Sequence, residues 1–145
     1  MEKRNVLFVM SSLRNGGAER SLVNLLQLLD YDRYNVDLLL FQNEGMFLKQ
    51  VPKAVNIISN CNKLYTLYDN NKADALKHPY LSAVHMIGTF ISRKKTNSVA
   101  KSRQYRWEHF YKKIIPELTK EYDVAIAYMQ REQTYFLVDK VKAAK

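Results

Sequence analysis

The chain has 145 residues, 47% of them hydrophobic and 26% charged, with four glycines, three prolines and one cysteine. This is the balance of one globular domain with one core, and it excludes chain-wide disorder, collagen-like repeats, low-complexity linkers and a disulfide framework. Lys and Arg number 23 against 14 Asp and Glu, a net charge of +9, and such a surplus points to an anionic partner: nucleic acid, a phosphorylated ligand or anionic lipid.

Met1-Glu2-Lys3-Arg4 followed by Val6–Met10 has the order of a signal peptide, but the apolar run has five residues, short of the ~7–15 of a signal core. An unalternated run containing two valines fits a buried strand of a parallel sheet. Ser11 to Gly17 breaks the pattern as a loop. Ala18, Leu22, Leu25, Leu26 and Leu29 then fall at helical spacing and define a core-facing stripe that ends at Asp30-Tyr31-Asp32-Arg33. Val36 to Phe41 is a second strand, and Asn43-Glu44-Gly45 is a turn. Met46–Val51 forms one or two helical turns stopped by Pro52, and Val55 to Ile58 is a third, shorter strand. Leu64 to Leu76 has weak helical character.

Pro79 marks a boundary. Tyr80–Ile91 follows as a helix that is apolar nearly all round, yet no segment reaches the ~18–20 apolar residues of a membrane span. Arg93 to Ser98 is a polar break. Val99 to Leu118 reads as an amphipathic helix with Trp107, Phe110, Tyr111, Ile114, Ile115 and Leu118 on one stripe, kinked or ended by Pro116. Tyr122 to Tyr128 is a fourth strand. Gln130 to Lys145 is helical, and the chain stops there with no further turn or strand. Alternation of strands and helices is the grammar of an α/β domain, a parallel sheet with helices on both faces. Such folds take ligands outside the carboxyl ends of their strands.

Asn15-Gly16-Gly17-Ala18-Glu19-Arg20 lies between the first strand and the first helix. Adjacent glycines let a ligand approach the backbone, and the helix behind them presents unpaired N–H groups and a partial positive charge. An anion there gains ~0.3–1 kcal/mol from the helix terminus. Arg14 and Arg20 would add charge-assisted hydrogen bonds suited to phosphate or carboxylate. The plain alternative is that the glycines only allow the chain to reverse. Both G-x-G-x-x-G and the P-loop pattern are absent.

In sequence and position this string resembles the Gly-Gly-Ala-Glu-Arg signature near the N-terminus of family-4 retaining glycosyltransferases. Val6–Met10 before it, Leu22–Leu29 after it and Tyr122 to Ala127 fit the same pattern. The resemblance implies a Rossmann-like N-terminal domain of a GT-B architecture, here residues 1–145, incomplete at its C-terminal end and lacking the donor domain. It implies an enzyme of hexosyltransferase type when full-length and an inactive fragment alone. The substrates would be a UDP- or GDP-sugar donor, with no other cofactor in this piece, and a lipid-linked or cell-envelope glycan acceptor, as in polysaccharide biosynthesis. The matching residues Gly16 and Gly17 would line the cleft and bind phosphate, with Asn15, Arg14 and Arg20 near it. Glu19 supports the helix start. The family's paired donor-gripping glutamates and its histidine have no counterpart here. His78, His85 and His109 are not at that histidine's place, so the catalytic residues stay unassigned.

Most of the excess charge sits in residues 73–120, with 10 basic and 3 acidic side chains. The resemblance implies that Arg93, Lys94, Lys95, Lys101 and Arg103 form a basic patch facing a membrane or the acceptor. The resemblance implies a cytoplasmic protein, peripheral on the inner membrane face. Each Lys or Arg near an anionic leaflet is worth about 1 kcal/mol. The alternative is a solvated charged face, with the Trp107 stripe in the core. Nucleic acid is disfavoured, because no helix-turn-helix, aromatic RNA-binding motif or metal knuckle accompanies the charge. One thiol, Cys61, with scattered histidines offers no metal site.

Two other functions compete. One is a non-enzymatic Rossmann-like module binding a phosphorylated or nucleotide ligand through the same loop. Its receiver-type version is disfavoured, since Met10-Ser11-Ser12 lacks the acidic pair and Ser59-Asn60 lacks a phosphoacceptor. The other is a nucleotide-dependent oxidoreductase, disfavoured by the missing fingerprint. An unpaired sheet edge after the fourth strand would leave the piece marginally stable, and it leaves open a homodimer.

Overall fold

The computed structural model describes residues 2–58, 67 and 78–144. The chain divides into two compact units, Met1–Cys61 with Glu117–Lys145, and Asn62–Pro116. The weak helix expected over Leu64 to Leu76 lies outside the described residues apart from Leu67, as do Cys61 and the Ser59-Asn60 pair.

The first unit is α/β. Its elements are β1 (Arg4–Met10), α1 (Gly17–Leu28), β2 (Tyr34–Leu40), a 3₁₀ turn (Leu48–Gln50) and β3 (Asn56–Ile58). After the second unit come β4 (Glu121–Tyr122) and β5 (Val124–Ala127). Four strands form a parallel sheet in the order β3-β2-β1-β5. The apolar runs of β1 and β2 are buried on both faces, which is why they show no alternation.

One face of this sheet takes α1. Val6, Phe8 and Met10 of β1 and Val36, Leu38 and Leu40 of β2 pack with Leu22, Val23 and Leu26. Each fully buried Leu or Val contributes ~1.5–3 kcal/mol. The helix is turned slightly from the expected stripe: Val23 is buried and Leu25 is 38% exposed. After α1 the chain closes at Asp30, whose carbonyl accepts from the N–H groups of Arg33 and Tyr34 and whose carboxylate accepts from Asp32 N–H.

Two expectations about the C-terminal part are corrected. Tyr122 to Tyr128 is not one strand: it breaks at Asp123, whose carboxylate accepts the Asn5 N–H at 2.7 Å while its own N–H donates to the Asn5 carbonyl. Nor is Gln130 to Lys145 one helix. Its last residues turn extended at Val141 and form β6 (Lys142–Ala143), which pairs in parallel with β4. Leu118 N–H caps the Lys140 carbonyl and Ala144 N–H reaches the Tyr122 carbonyl. Open backbone groups on β4 thus outcompete the helix propensity of an Ala-rich end.

The second unit carries α2 (Pro79–Lys95) and α3 (Val99–Arg106), a π-helical turn (Trp107–Tyr111) and α4 (Lys112–Ile114). Helix α5 (Glu132–Lys140) returns to the first unit, where Phe136 meets Phe41 edge-on at 5.9 Å. The helix expected over Val99 to Leu118 stops at Ile114. Ile115 precedes Pro116 and is extended (φ −77°, ψ 124°), as steric conflict with the proline ring requires. Of the expected stripe, Trp107, Tyr111 and Ile115 are buried.

Asp37 is the exception in the apolar β2. It is 3% exposed, on the sheet face opposite α1. Its carboxylate accepts from Asn56 of β3 (2.9 Å), Lys120 (2.9 Å) and the Tyr122 hydroxyl (2.7 Å). Burial pushes its pKa up, but the three hydrogen bonds and the Lys120 charge outweigh burial and hold it below the usual value. The contribution is therefore present above the unfolded pKa and lost as pH falls through the lowered folded value. Asp37→Ala at neutral pH should cost about 2–3 kcal/mol, less than a fully buried pair because Lys120 reaches solvent. In urea melts the stability gap between wild type and Asp37→Asn should be widest near neutrality and close in strong acid.

Candidate functional site

In the order β3-β2-β1-β5 the chain leaves β1 in one direction toward β2 and later returns to its other side with β5. The carboxyl ends of β1 and β5 therefore form the topological switch point, the place where open α/β sheets have a crevice. Two segments border it, residues 11–16 after β1 and residues 128–131 after β5. Tyr128 N–H donates to the Val9 carbonyl at 3.0 Å, its ring lies 6.5 Å from that of Phe8, and its hydroxyl shares a 2.9 Å hydrogen bond with Ser21 of α1. Tyr128 and Ser21 were not singled out from the sequence. A polar aromatic at the end of an apolar strand was the available signal for the first, and nothing local marks the second.

The loop after β1 is held by the loop after β2. Gln42 N–H donates to the Ser11 carbonyl, Leu13 N–H to the Glu44 carbonyl, and Phe47 N–H to the Leu13 carbonyl. Arg14 donates from Nε to the Glu44 carboxylate at 2.6 Å and pairs with it through a second guanidinium nitrogen. Its charge is thereby spent on a structural contact. Gly45, the described residue with positive φ (129°), lets this approach happen, since a Cβ there would collide with the Leu13 carbonyl.

The glycine pair is different. Neither Gly16 nor Gly17 has positive φ, and a Cβ on Gly17 would meet nothing within 4 Å. Reversal of the chain does not require glycine at position 17. Gly16 caps α1 without a side-chain hydrogen bond, and a Cβ on it would collide with the Glu19 carboxylate. Glu19 thus folds back over the positive end of α1. The open backbone is at Gly17, with Asn15 exposed on one side and Arg20 exposed on the next turn. Among the described residues no ion pair engages Arg20.

The basic patch divides. Lys94 lies over the Phe90 ring at 4.6 Å and Lys95 over the Tyr105 ring at 5.8 Å. Lys101 contributes its backbone N–H to the Ser98 cap of α3. Arg93 and Arg103 line a concavity together with Arg106. Helix α2 inverts the usual arrangement: it buries Leu81, Gly88 and Ser92 and exposes Met86 (71%), Ile87 and Phe90 (62%). No described helix is long and apolar enough to cross a membrane.

Of the histidines, His85 is half-buried and pairs with Tyr111, Nδ1 to hydroxyl at 2.9 Å with the rings stacked. Burial first, then the Arg106 charge, lowers its pKa. Another concavity, lined by Lys3, Arg4, Glu121, Asp123 and Lys142 among others, lies at the amino end of β1. Its charges are mixed and it lies away from the switch point. No group of three or more metal-ligating side chains occurs among the described residues.

No protein family, curated protein or solved structure matches this chain.

Gly45→Ala should destabilise the first unit by about 1–3 kcal/mol through forced left-handed backbone, whereas Gly17→Ala should change stability by less than about 1 kcal/mol. Paired denaturant melts followed by circular dichroism test the contrast. A second expectation concerns His85. Its lowered folded pKa means the unfolded chain takes up a proton first as pH falls below the ordinary value, so the Asn62–Pro116 unit loses stability there. Fluorescence of Trp107, the single tryptophan, should show wild type melting earlier at pH 5.5 than at pH 7.5, with the difference reduced in His85→Gln.

Proposed function

We propose that this chain is the acceptor-side, N-terminal Rossmann-like part of a glycosyltransferase that moves a sugar from a nucleotide-sugar donor to a lipid-linked or cell-envelope glycan. The observation that carries this reading is Gly17. It stands at the first turn of α1, beside the switch point, with open space where a side chain would be and no conformational need for glycine. Gly in place of Ala there costs up to ~1 kcal/mol of helix stability, which a close approach of ligand to backbone would justify. The parallel sheet order and the Asn15-Gly16-Gly17-Ala18-Glu19-Arg20 string on the first strand-to-helix loop fit the same assignment.

In this reading the backbone N–H groups at Gly17 and the end of α1 receive a phosphate, and Arg20 supplies the charge, since Arg14 is committed to Glu44. Glu19 swings aside when the anion binds. The sugar donor, UDP- or GDP-linked, is held by a second domain that also supplies the catalytic groups. The exposed Met86, Ile87 and Phe90, followed by Arg93, Lys94 and Lys95, support peripheral contact with an anionic membrane surface, where a lipid-linked acceptor resides.

The test joins this chain to its donor-binding half and follows nucleotide release with a panel of sugar nucleotides. Turnover with one donor, lost in Gly17→Arg while the circular dichroism melt is unchanged, is the expected result. Absence of turnover with every donor, together with retained binding of a phosphorylated ligand at the loop, would replace it with a non-enzymatic binding module.

A further inference from the structure

The turn between α2 and α3 is built unlike an ordinary helix connection. Gly88 and Ser92 of α2 are buried, and a Cβ on Gly88 would come within 3.3 Å of the Phe110 ring. Ser92 (0% exposed) accepts at Oγ from the Ser102 hydroxyl at 2.8 Å and donates to the Thr89 carbonyl. Thr96 donates from Oγ1 back to the Ser92 carbonyl at 2.8 Å, closing α2, while Ser98 accepts the Lys101 N–H and opens α3. Small hydroxyl side chains therefore fix the two helices against each other at close range.

Beside this fixed turn is a concavity of about 410 Å³ lined by Arg93, Arg103 and Arg106 with Thr96, Asn97 and Ser98. Three guanidinium groups line the hollow, and no acidic side chain lines it among the described residues. The Nε of Arg106 is buried and has no acceptor among the described residues. A buried, unmatched guanidinium donor costs free energy that an incoming anion would recover. Immediately after Arg106 the helix widens into the π-helical turn Trp107–Tyr111, where the Trp107 N–H is shared between the Arg103 and Gln104 carbonyls. Such local widening recurs at functional sites.

We propose that this hollow is a binding site for a phosphoryl group carrying two negative charges, a phosphomonoester or the terminal phosphate of a diphosphate. Arginine's planar fork suits bidentate contact with such oxygens better than a lysine's point charge does. Asn97 and the first-turn N–H groups of α3 that Ser98 does not take would supply neutral donors around it. The site lies wholly within the Asn62–Pro116 unit and does not depend on the role given to the Gly17 loop. The same phosphoryl chemistry occurs in soluble ligands and in lipid headgroups, and the experiment separates the two.

The chain is titrated calorimetrically with inorganic pyrophosphate, and its co-sedimentation is measured with phosphatidylcholine vesicles containing either phosphatidic acid or phosphatidylserine at matched surface charge. Saturable pyrophosphate binding weakened at least tenfold in Arg93→Gln/Arg103→Gln, and unchanged in Lys49→Gln/Lys53→Gln, is the expected result. Preference for phosphatidic acid over phosphatidylserine, lost in the same arginine variant, assigns the ligand to a lipid headgroup; equal sedimentation with intact pyrophosphate binding assigns it to a soluble one. Arg106→Gln should lower affinity without lowering the melting temperature, because it removes an unmatched donor. Equal weakening in the arginine and lysine variants, or no saturable pyrophosphate binding by the wild type, would overturn the proposal.

Discussion

A single carboxylate, Asp37, holds together parts of the first unit that sequence keeps far apart. Placing an ionised group on a strand buried from both sides is costly unless every lone pair is matched. Here Asn56 comes from β3, the strand next to β2, while Lys120 and Tyr122 arrive from 83 and 85 residues later. Those partners place the chain just ahead of β5, which then pairs with β1 in the register Val6 to Val124 and Phe8 to Ile126. The pairing fixes which side of β1 the returning chain occupies. The switch point exists only once that return has been made.

The same sheet sets the stiffness of the loop at its carboxyl edge. Strands β1 and β2 run in parallel register from Arg4 with Tyr34 to Met10 with Leu40. Their following loops stay paired beyond the sheet through Ser11, Leu13 and Glu44. A loop tied at so many backbone positions presents the start of α1 in one orientation, so an anion received there would require the Glu19 carboxylate to move but no reordering of the backbone. Arg14, the nearest cation to that loop in sequence, is what the tie consumes.

Strands β1 and β2 were legible because burial on both faces leaves short, mostly apolar runs, and Val6–Met10 and Val36–Phe41 carry that mark within two residues; β3, exposed or half-buried at the sheet edge, was read from Val55 to Ile58 on a weaker pattern. The loop between β1 and α1 was legible as a connection because Ser11 to Gly17 breaks the apolar run before an amphipathic stripe begins. Asp37 was not, since one acidic residue inside an apolar run reads as noise until its partners, distant in sequence, are in place. Arg106 was missed for a related reason. On a helical wheel it belongs to the polar face with Lys112 and Lys113, and only the turn between α2 and α3 shows that it shares a hollow with Arg93 and Arg103. The faces of α2 were illegible because its apolar residues are spread all round; hydrogen bonding among Ser92, Thr96 and Ser102 decides which side is buried. The early stop at Ile114 and the break at Asp123 follow from Pro116 and from the Asn5 backbone, one local and one long-range.

Charge is divided between the units in a way that their candidate sites mirror. Residues 1–61 and 117–145 hold 12 basic and 11 acidic side chains, and residues 62–116 hold 11 and 3. In the nearly neutral unit, the glycine loop offers backbone donors and a helix end, already partly answered by Glu19, while Glu44 answers Arg14. A ligand there must be recognised by fit, because the net field that would draw it in is weak. In the basic unit, the proposed arginine hollow sits in a net positive field that would draw anions from a distance, and its guanidinium geometry would select among them. Attraction across the second unit is long-ranged and screened by salt, whereas contact at Gly17 is short-ranged and depends on shape. The two proposed sites would therefore act at different ranges: the glycine loop through short-range shape, and the arginine hollow through long-range charge.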